Sequence, residues 1–157
     1  MNMFGLFKKK NGLIREYYPN GSIKNEVTYV DGVRHGPCKG FHENGSLALE
    51  GKFHHDNHYG VLTTYYESGA KSAHIEYDII ARQVGDSISW HENGQIKGKS
   101  KMVDGLAQGE VVYFHENGQL SKRFKAVDGQ IDGLFEEYDE NGVLISTSQY
   151  SMGNIIG

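Results

Sequence analysis

Histidine is the residue type in this chain that could best support chemistry, because the sequence contains eight histidines in 157 residues. Three of them, His42, His91 and His115, stand at the same place in a repeated phrase, and three more lie with Asp56 within residues 54–58. Imidazole nitrogens ligate zinc at about 2.0–2.1 Å and exchange protons near neutral pH. Metal binding and acid–base catalysis are therefore the chemistries that need testing against the spacing.

The spacing of the first three histidines argues against a shared metal ion. If each repeat is a two-stranded hairpin, equivalent positions of neighbouring repeats lie about 9.6 Å apart, too far for two ligands of one zinc ion. His54, His55 and His58 could converge with Asp56, and this site stays open as an alternative, although a loop without cysteine is a poor zinc site. No G-x-S-x-G, H-E-x-x-H or P-loop motif occurs. We therefore expect no catalytic activity, no cofactor and no metal.

The repeated phrase consists of an aromatic residue, three further residues and a glycine, and it occurs six times. Successive terminal glycines are 24 residues apart, with one step of 25. A constant period of about 20 to 50 residues is typical of stacked supersecondary units. The six copies occupy residues 17–21, 41–45, 65–69, 90–94, 114–118 and 138–142, and a second series with the same period is Gly12, Gly36, Gly60, Gly85, Gly109, Gly133 and Gly157.

Turn-forming residues divide each repeat into two strands. Five copies end in Asn-Gly, which predicts a type I′ turn with positive φ at both residues. An Asp-Gly pair, Asp31-Gly32 in the first repeat, follows eleven residues after the asparagine, and residues 23–29 between them alternate between apolar and polar. The sequence therefore predicts an all-β fold, in which residues 12–157 form one domain: an elongated single-layer antiparallel sheet of six tandem 24-residue β-hairpins.

The strand that precedes each Asn-Gly does not alternate in this way. Its aromatic residue, Tyr17 in the first repeat, has the opposite parity to the apolar residue three positions earlier, Ile14. Either the strand is bent, with the glycine at its entrance permitting the bend, or both of its faces are partly covered. Both alternatives stay open from the sequence.

The first eleven residues, MNMFGLFKKKN, lie outside the repeat pattern. They contain three apolar residues followed by three lysines, namely Phe4, Leu6, Phe7, Lys8, Lys9 and Lys10. The segment is interpreted either as a cap on the exposed edge of the sheet or as a weak membrane tether. It is too short for a signal peptide or a spanning helix.

Cysteine usage indicates a reducing compartment. The single cysteine, Cys38, excludes an internal disulfide, and no targeting segment precedes the repeats. We therefore expect a cytoplasmic protein. Because Cys38 occupies a repeat position that mostly carries Ile, Leu, Val or Phe, we expect it to be packed rather than reactive.

Six segments carry a family resemblance: GLIREYYPNG, GPCKGFHENG, GVLTTYYESG, GDSISWHENG, GEVVYFHENG and GLFEEYDENG. With the alternating strand and Asp-Gly turn that follow, they resemble the MORN-repeat variant of bacterial proteins often labelled as antitoxin components or toxin-immunity proteins, over residues 12–157. The resemblance implies one extended antiparallel sheet of hairpins that binds proteins or, in eukaryotic relatives, lipids and membranes. It brings no catalytic motif.

The third repeat departs from the pattern. It has one extra residue, it carries Ser68 in place of asparagine, and it has Ile79-Ile80 where complete repeats have a polar turn. Broken local rules are expected at functional sites, so the segment is a candidate contact. The alternative is a longer loop whose two isoleucines fold back over the sheet.

Charge is distributed unevenly along the array. Residues 1–39 contain seven lysines or arginines and three acids, whereas residues 128–157 contain six acids and no lysine or arginine. Such a field steers a charged partner. A basic stripe between the two ends is interpreted as an anionic-surface contact or as cross-strand pairs with Glu92, Glu110 or Glu116. Its residues are Lys97, Lys99, Lys101, Arg123 and Lys125. With a net charge of −4, we expect no nucleic-acid partner.

Two functional hypotheses follow. In the first, the chain is an immunity or antitoxin protein that blocks a cognate toxin by direct binding, since basic nuclease toxins would suit an acidic surface. In the second, it is a scaffold or peripheral membrane protein. The first predicts partner contacts at Glu136, Glu137, Asp139, Glu140, Ile79, Ile80, Arg82, Tyr66 and Trp90; the second predicts contacts at Lys97, Lys99, Lys101, Arg123, Lys125, Lys8, Lys9 and Lys10. Exposed sheet edges also permit an edge-to-edge homodimer.

Overall fold

A computed structural model describes residues 9–157, which form one antiparallel β-sheet. Twelve strands of six or more residues follow one another across the sheet in chain order, and three two-residue strands extend it. The strands are β1 (Gly12–Tyr17), β2 (Ile23–Val30), β3 (Val33–Phe41), β4 (Leu47–His54), β5 (Asn57–His58), β6 (Gly60–Tyr65), β7 (Lys71–Tyr77), β8 (Gln83–Trp90), β9 (Ile96–Val103), β10 (Leu106–Phe114), β11 (Leu120–Val127), β12 (Gln130–Ile131), β13 (Gly133–Tyr138), β14 (Leu144–Ser151) and β15 (Asn154–Ile155). The predicted single-layer sheet of tandem hairpins is confirmed.

The turn at each Asn-Gly differs from the predicted type I′ geometry. In the first repeat Gly21 has a φ of 89° and its N–H donates to the carbonyl of Tyr18 at 2.9 Å, but Asn20 is not among the residues with positive φ. The loop therefore has three residues with only the glycine left-handed, the form that ends in a bulge. A separate register shift between Glu16 and Tyr17, whose partners are Asn25 and Ile23, places one extra residue, Lys24, on β2. The prediction of two positive φ angles was wrong because the loop is one residue longer than a type I′ hairpin allows.

The second turn of the repeat is the two-residue type I′ turn. Asp31 and Gly32 have φ angles of 51° and 89° between the paired Val30 and Val33. In the second repeat His55 and Asp56 take the same left-handed conformations, at 47° and 66°. The His55 and Asp56 side chains are thereby held at the turn between β4 and β5.

Strands β3, β8 and β10, which lead into Asn-Gly turns, are each bent at their glycine. Between β2 and β3, Val27 pairs with Cys38 while Tyr29 pairs with Arg34, so a step of two residues on β2 faces a step of four on β3. Gly36 lies inside this bulge with a φ of 104°, which a residue with a side chain rarely adopts. The bend that the sequence left open is confirmed.

Both faces of the sheet are also partly covered. Partners across neighbouring strands share a face, and the register groups Ile14, Val27 and Cys38 with one another on what we call the apolar face. Four aromatic rings pack in a row on this face, with centroids 6.4, 5.7 and 6.0 Å apart along Tyr113, Phe124, Phe135 and Tyr150. The most deeply buried apolar side chains are Cys38, Phe53, Val111 and Ala126.

The opposite face, which we call the charged face, carries the aromatic residue of the repeated phrase. The Tyr65 hydroxyl donates to Glu50 at 2.6 Å. In the last repeat the Arg123 guanidinium lies 3.4 Å from the Tyr138 hydroxyl. Because Glu50 and Arg123 belong to the row of charged residues on this face, the aromatic residues and the apolar row lie on opposite sides. The strand before the Asn-Gly turn is therefore bent and is also partly covered on both faces. Both explanations that the sequence left open for the opposite parity of its aromatic and apolar residues are thus correct.

Four residues singled out in the N-terminal segment lie outside the described part of the chain: Phe4, Leu6, Phe7 and Lys8. The carbonyl of Lys10 accepts a hydrogen bond from Gly32 N–H at 2.9 Å, and Asn11 Oδ1 accepts one from Asp31 N–H at 2.8 Å. Residues 10 and 11 therefore contact the first Asp-Gly turn. No helix between residues 9 and 157 is long and apolar enough to cross a bilayer.

Candidate protein-binding surface

The histidines of the repeated phrase join one repeat to the next. In five repeats the residue after the aromatic donates a side-chain hydrogen bond to the main-chain carbonyl of the next repeat's aromatic residue. Because a carbonyl only accepts, each histidine at this position carries its proton on Nε2. The pairs are Tyr18 with Phe41 at 2.8 Å, His42 with Tyr65 at 3.0 Å, Tyr66 with Trp90 at 2.8 Å, His91 with Phe114 at 2.8 Å and His115 with Tyr138 at 2.9 Å.

The asparagines of the repeated phrase form a second ladder between repeats. Asn93 Oδ1 accepts a hydrogen bond from Gln95 N–H at 2.9 Å, and Asn93 Nδ2 donates to the carbonyl of Glu116 in the next repeat at 2.7 Å. Asn20, Asn44 and Asn117 make the same inter-repeat bond. Asparagine is thus required because its side-chain amide both accepts and donates a hydrogen bond, and not because it tolerates a left-handed backbone. Local turn chemistry did not indicate this role.

Because the third repeat has Ser68 in place of asparagine, exchanging serine and asparagine at this position of a repeat should change the free energy of unfolding. We expect Asn93→Ser to lower the free energy of unfolding by about 0.5–1.5 kcal/mol, the usual worth of one such hydrogen bond. Ser68→Asn should raise it by a similar amount, because the amide can reach the neighbouring Glu92 carbonyl. Urea denaturation followed by circular dichroism would measure both. Opposite signs support the ladder; equal losses contradict it.

The second turns form a ladder of their own, which the third repeat interrupts. In five repeats a turn N–H donates to the carbonyl 22 residues earlier, at 2.8–3.0 Å. The residues concerned are Gly32 with Lys10, Asp56 with Arg34, Gly105 with Gln83, Gly129 with Ala107 and Gly153 with Ile131. Among the described residues, the third repeat has no equivalent bond, because its extra residue converts the turn into a longer loop.

That loop, residues 78–82, is held by its own first and last residues. Asp78 Oδ1 accepts hydrogen bonds from the N–H groups of Ile80 and Arg82, at 3.0 and 2.9 Å. The Arg82 guanidinium binds Asp78 at 2.8 Å and Asp104 of the next turn at 2.7 Å. The hydrogen bond from Arg82 N–H lowers the pKa of the Asp78 carboxyl below its ordinary value, and the Arg82 side chain acts in the same direction.

The two isoleucines of this loop point into solvent. Ile79 is 52% exposed and Ile80 is 63% exposed, so they do not fold back over the sheet. Ala81 takes the left-handed position, with a φ of 64°. The structure therefore brings three predicted contact residues, Ile79, Ile80 and Arg82, into one ordered loop at the edge of the sheet.

Tyr66 and Trp90, the other predicted apolar contacts, are half-buried. The Tyr66 hydroxyl donates to the Trp90 carbonyl, so its polar end is used between repeats. Both residues therefore take part in contacts between repeats, and only part of each ring is accessible to a partner.

The acidic residues near the end of the chain are largely engaged within the sheet. Glu136 pairs with Arg123 at 2.7 Å, and Glu137 lies 3.2 Å from the Lys122 ammonium. Asp139 Oδ1 accepts hydrogen bonds from the N–H groups of residues 141 and 143, and these lower the pKa of its carboxyl. The main-chain carbonyl of Glu140 accepts the amide of Asn117, which leaves the Glu140 side chain exposed at the turn.

Four residues of the basic stripe lie on the charged face, with partners other than those expected, whereas Lys97 falls at a register shift of β9. Arg123 pairs with Glu136, whereas Lys101 is opposite Asp86 and Lys125 is opposite Glu110 in the register. Of the three expected partners only Glu110 faces the stripe; the Glu92 and Glu116 pairings were wrong, because those residues lie in the turns. Lys99 lies between Ile88 and Val112, and Lys97 lines a shallow hollow with His91 and Tyr113.

The described N-terminal lysines lie beside the first repeat. Lys9 is exposed, and the Lys10 ammonium is 5.1 Å from the centroid of the Tyr29 ring. Lys8, the third lysine of the predicted anionic contact, falls outside the described residues. The N-terminal and central basic groups are therefore separate surfaces.

The second turn of the second repeat gathers a histidine cluster that differs from the one expected. His35, His54 and His55 offer ring nitrogens that all lie within 4.8 Å of one another. His58 instead stacks between Phe53 and Tyr77, with centroids 4.4 and 5.8 Å away. Burial, followed by repulsion from His55 and His35, lowers the pKa of His54.

Cys38 is packed, as predicted. It is buried on the apolar face, opposite Val27 and Gly51. Burial raises the pKa of its thiol, so the reactive thiolate is disfavoured.

Comparison with known proteins agrees with this geometry. The MORN repeat variant model matches residues 10–31, 34–55, 83–104, 107–124 and 131–152, five segments that together cover more than half of the chain. The unmatched stretch 56–82 contains Ser68 and residues 78–82, which we call the isoleucine loop. No curated protein matches the chain. The periodic match, together with the tandem hairpins, shows that the chain belongs to the MORN repeat variant family.

Proposed function

We propose that this chain is a non-catalytic protein-binding module of the cytoplasm that neutralises a cognate bacterial toxin by direct binding. The observation that carries the proposal is the ordered loop of residues 78–82, which presents Ile79 and Ile80 to solvent at the point where the repeat ladder is interrupted. Every other second turn has at most one apolar residue.

A protein of this shape offers surface rather than an enclosed cavity. The chain exposes 10008 Å², whereas a compact protein of 17.6 kDa would expose about 7,900 Å². A standard protein–protein interface uses about 800 Å² on each partner. The exposed surface is therefore many times larger than the area that such an interface needs.

The isoleucine loop has the physical properties of a binding hot spot. Two adjacent apolar side chains gain free energy when a partner covers them, at roughly 25 cal/mol per Å² of buried apolar surface. The hydrogen bonds that Asp78 accepts already order the loop, so binding does not have to restrict it. Arg82, a residue type enriched at hot spots, lies at its base.

Charge supports a basic partner. The last thirty residues contain six acids and no lysine or arginine, and Glu140 is exposed at the last Asn-Gly turn. Glu136 and Glu137 already have basic neighbours, so we assign this region a role in steering the partner rather than in anchoring it. Steering raises association rates in low salt more than it raises affinity.

The proposal is tested by co-expression with the toxin encoded nearest to the gene of this chain. The double variant Ile79→Ser/Ile80→Ser should lose protection of the cells and should bind the purified toxin at least about tenfold more weakly, a change of about 1.4 kcal/mol. Val30→Ser is the matched control, because Val30 is also exposed beside the first Asp-Gly turn. Full protection by the double variant, with its thermal unfolding unchanged, would reject the loop as the anchor.

A second candidate is contact with an anionic membrane surface. It is favoured by the lysines Lys99, Lys101 and Lys125, which share the charged face and have no carboxylate within 4.0 Å among the described residues. Basic clusters attract anionic lipid with about 1 kcal/mol per residue. Sedimentation with phosphatidylserine vesicles at low salt separates the candidates: protein left in the supernatant excludes the membrane role.

A further inference from the structure

The histidine cluster of the second repeat is the only group of its kind among residues 9–157. His35 lies on β3 one residue before Gly36, and His54 ends β4 one residue after Phe53, the pairing partner of Gly36. His55 follows in the left-handed first position of the turn. Two neighbouring strands and one turn thus bring together residues that are 19 and 20 positions apart.

The ring geometry suits coordination. The centroids of His35 and His54 are 5.1 Å apart, those of His35 and His55 are 5.2 Å apart, and those of His54 and His55 are 4.4 Å apart. His55 Nδ1 is 3.2 Å from His54 Nε2. Two nitrogens on one tetrahedral zinc ion are about 3.3 Å apart, since each Zn–N bond is about 2.0–2.1 Å long. Small side-chain rotations would bring the third nitrogen to the same distance.

Among residues 9–157, no fourth histidine, cysteine or carboxylate joins the cluster. The Asp56 carboxylate is turned away, because its Oδ1 accepts hydrogen bonds from the main-chain N–H and the Nε of Arg34 at 2.9 and 3.0 Å. This pairing also neutralises the nearest guanidinium. His55 is exposed while His35 and His54 are half-buried, so an ion can enter from solvent and keep a water molecule as its remaining ligand.

We propose that His35, His54 and His55 form a binding site for one late first-row divalent transition ion, with Zn²⁺, Ni²⁺ and Cu²⁺ as the class that three imidazoles select. The site is independent of the toxin-binding proposal. It would crosslink β3, β4 and the second-repeat turn, next to the place where the ladder of second turns is interrupted. A bound ion would therefore stabilise the first half of the array.

The test is calorimetric titration of tag-free full-length protein with ZnCl₂ and separately with NiCl₂. One ion should bind per chain, and each ion should raise the unfolding temperature by mass action. His55→Asn should weaken binding at least tenfold, since loss of even an outer-shell partner costs about 10–100-fold. Asparagine tolerates the left-handed backbone, so this variant should fold, and circular dichroism checks that it does.

Two further variants make the result decisive. His35→Asn removes a ligand from a different strand and should weaken binding as much as His55→Asn does. His74→Asn removes a histidine of β7 outside the cluster and should change nothing. Binding that is absent, or that falls equally in His74→Asn, would overturn the proposal, as would binding that survives both cluster variants.

Discussion

Val111→Asp should unfold much of the array, with a loss of about 3–5 kcal/mol, the cost of an uncompensated buried charge. Val111 is 4% exposed on the apolar face and pairs with Phe124, whose ring stacks on Tyr113 and Phe135. A carboxylate there would replace an apolar side chain that is packed beside these rings. Because small proteins are stable by only about 5–15 kcal/mol, the effect would be large. Urea denaturation followed by circular dichroism would measure it.

The next residue provides the matched control. Val112 lies on the charged face, where its register partners are Lys99 and Arg123. Val112→Asp places the same carboxylate between two basic side chains, so we expect a change within about 0.5 kcal/mol, as for other surface substitutions. Lowering the pH should restore stability to the Val111 variant only, since burial penalises the charged form. Equal losses in the two variants would contradict the assignment of faces.

Gly118→Val should cost about 1–3 kcal/mol, because it forces a β-branched residue into the left-handed region. Gly118 has a φ of 84°, and its N–H closes the turn to the carbonyl of His115 at 2.9 Å. A Cβ atom at this position would also meet Gln95 Oε1 at 2.6 Å, but that atom ends a flexible side chain and can move. Most of the cost should therefore come from the backbone. Thermal unfolding should shift down by several degrees.

Two comparisons separate the backbone cost from the contact. Gly118→Asn should be milder, because asparagine tolerates a positive φ. Gly94→Val has the same φ of 84° and no atom within 4 Å of the new Cβ, so it isolates the backbone term. If Gly94→Val and Gly118→Val both left the unfolding temperature unchanged, the left-handed turn would not exist in solution.

Much of the fold could be predicted because turn chemistry is local. Asp31-Gly32 forms the expected type I′ turn, and the alternation of β2 places Val27 and Glu26 on opposite faces as a half-covered strand requires. The register shift at Lys24 breaks the expected alternation at Ile23, which pairs with Tyr17. The Asn-Gly turn was harder. Its loop length depends on the register between two strands, which is not a local property. In addition, the Asn20 side chain donates a hydrogen bond to a carbonyl 23 residues away.

Some of the candidate contacts could likewise be recognised from local sequence, whereas the surroundings of others depend on strand pairing. Ile79 and Ile80 were visible as a break in a repeated rule, and the structure places them in solvent. The engagement of Glu136 was not visible, because its partner Arg123 is 13 residues away and only strand pairing brings them together. Gly51 is similar, because a Cβ atom there would lie 2.9 Å from Leu62 Cδ1. This glycine is therefore required by a side chain of the neighbouring strand and not by its own backbone conformation.

The amino-acid order alone was enough to establish six hairpins, a single open sheet and the odd third repeat, since each depends on residues that are close along the chain. Side-chain partnerships required the three-dimensional arrangement. The histidines of the repeated phrase became links between repeats, and His35 joined His54 and His55 in place of His58. The reason is physical: the pairing of Gly36 with Phe53 across β3 and β4 brings His35 beside His54, and no local pattern encodes that register.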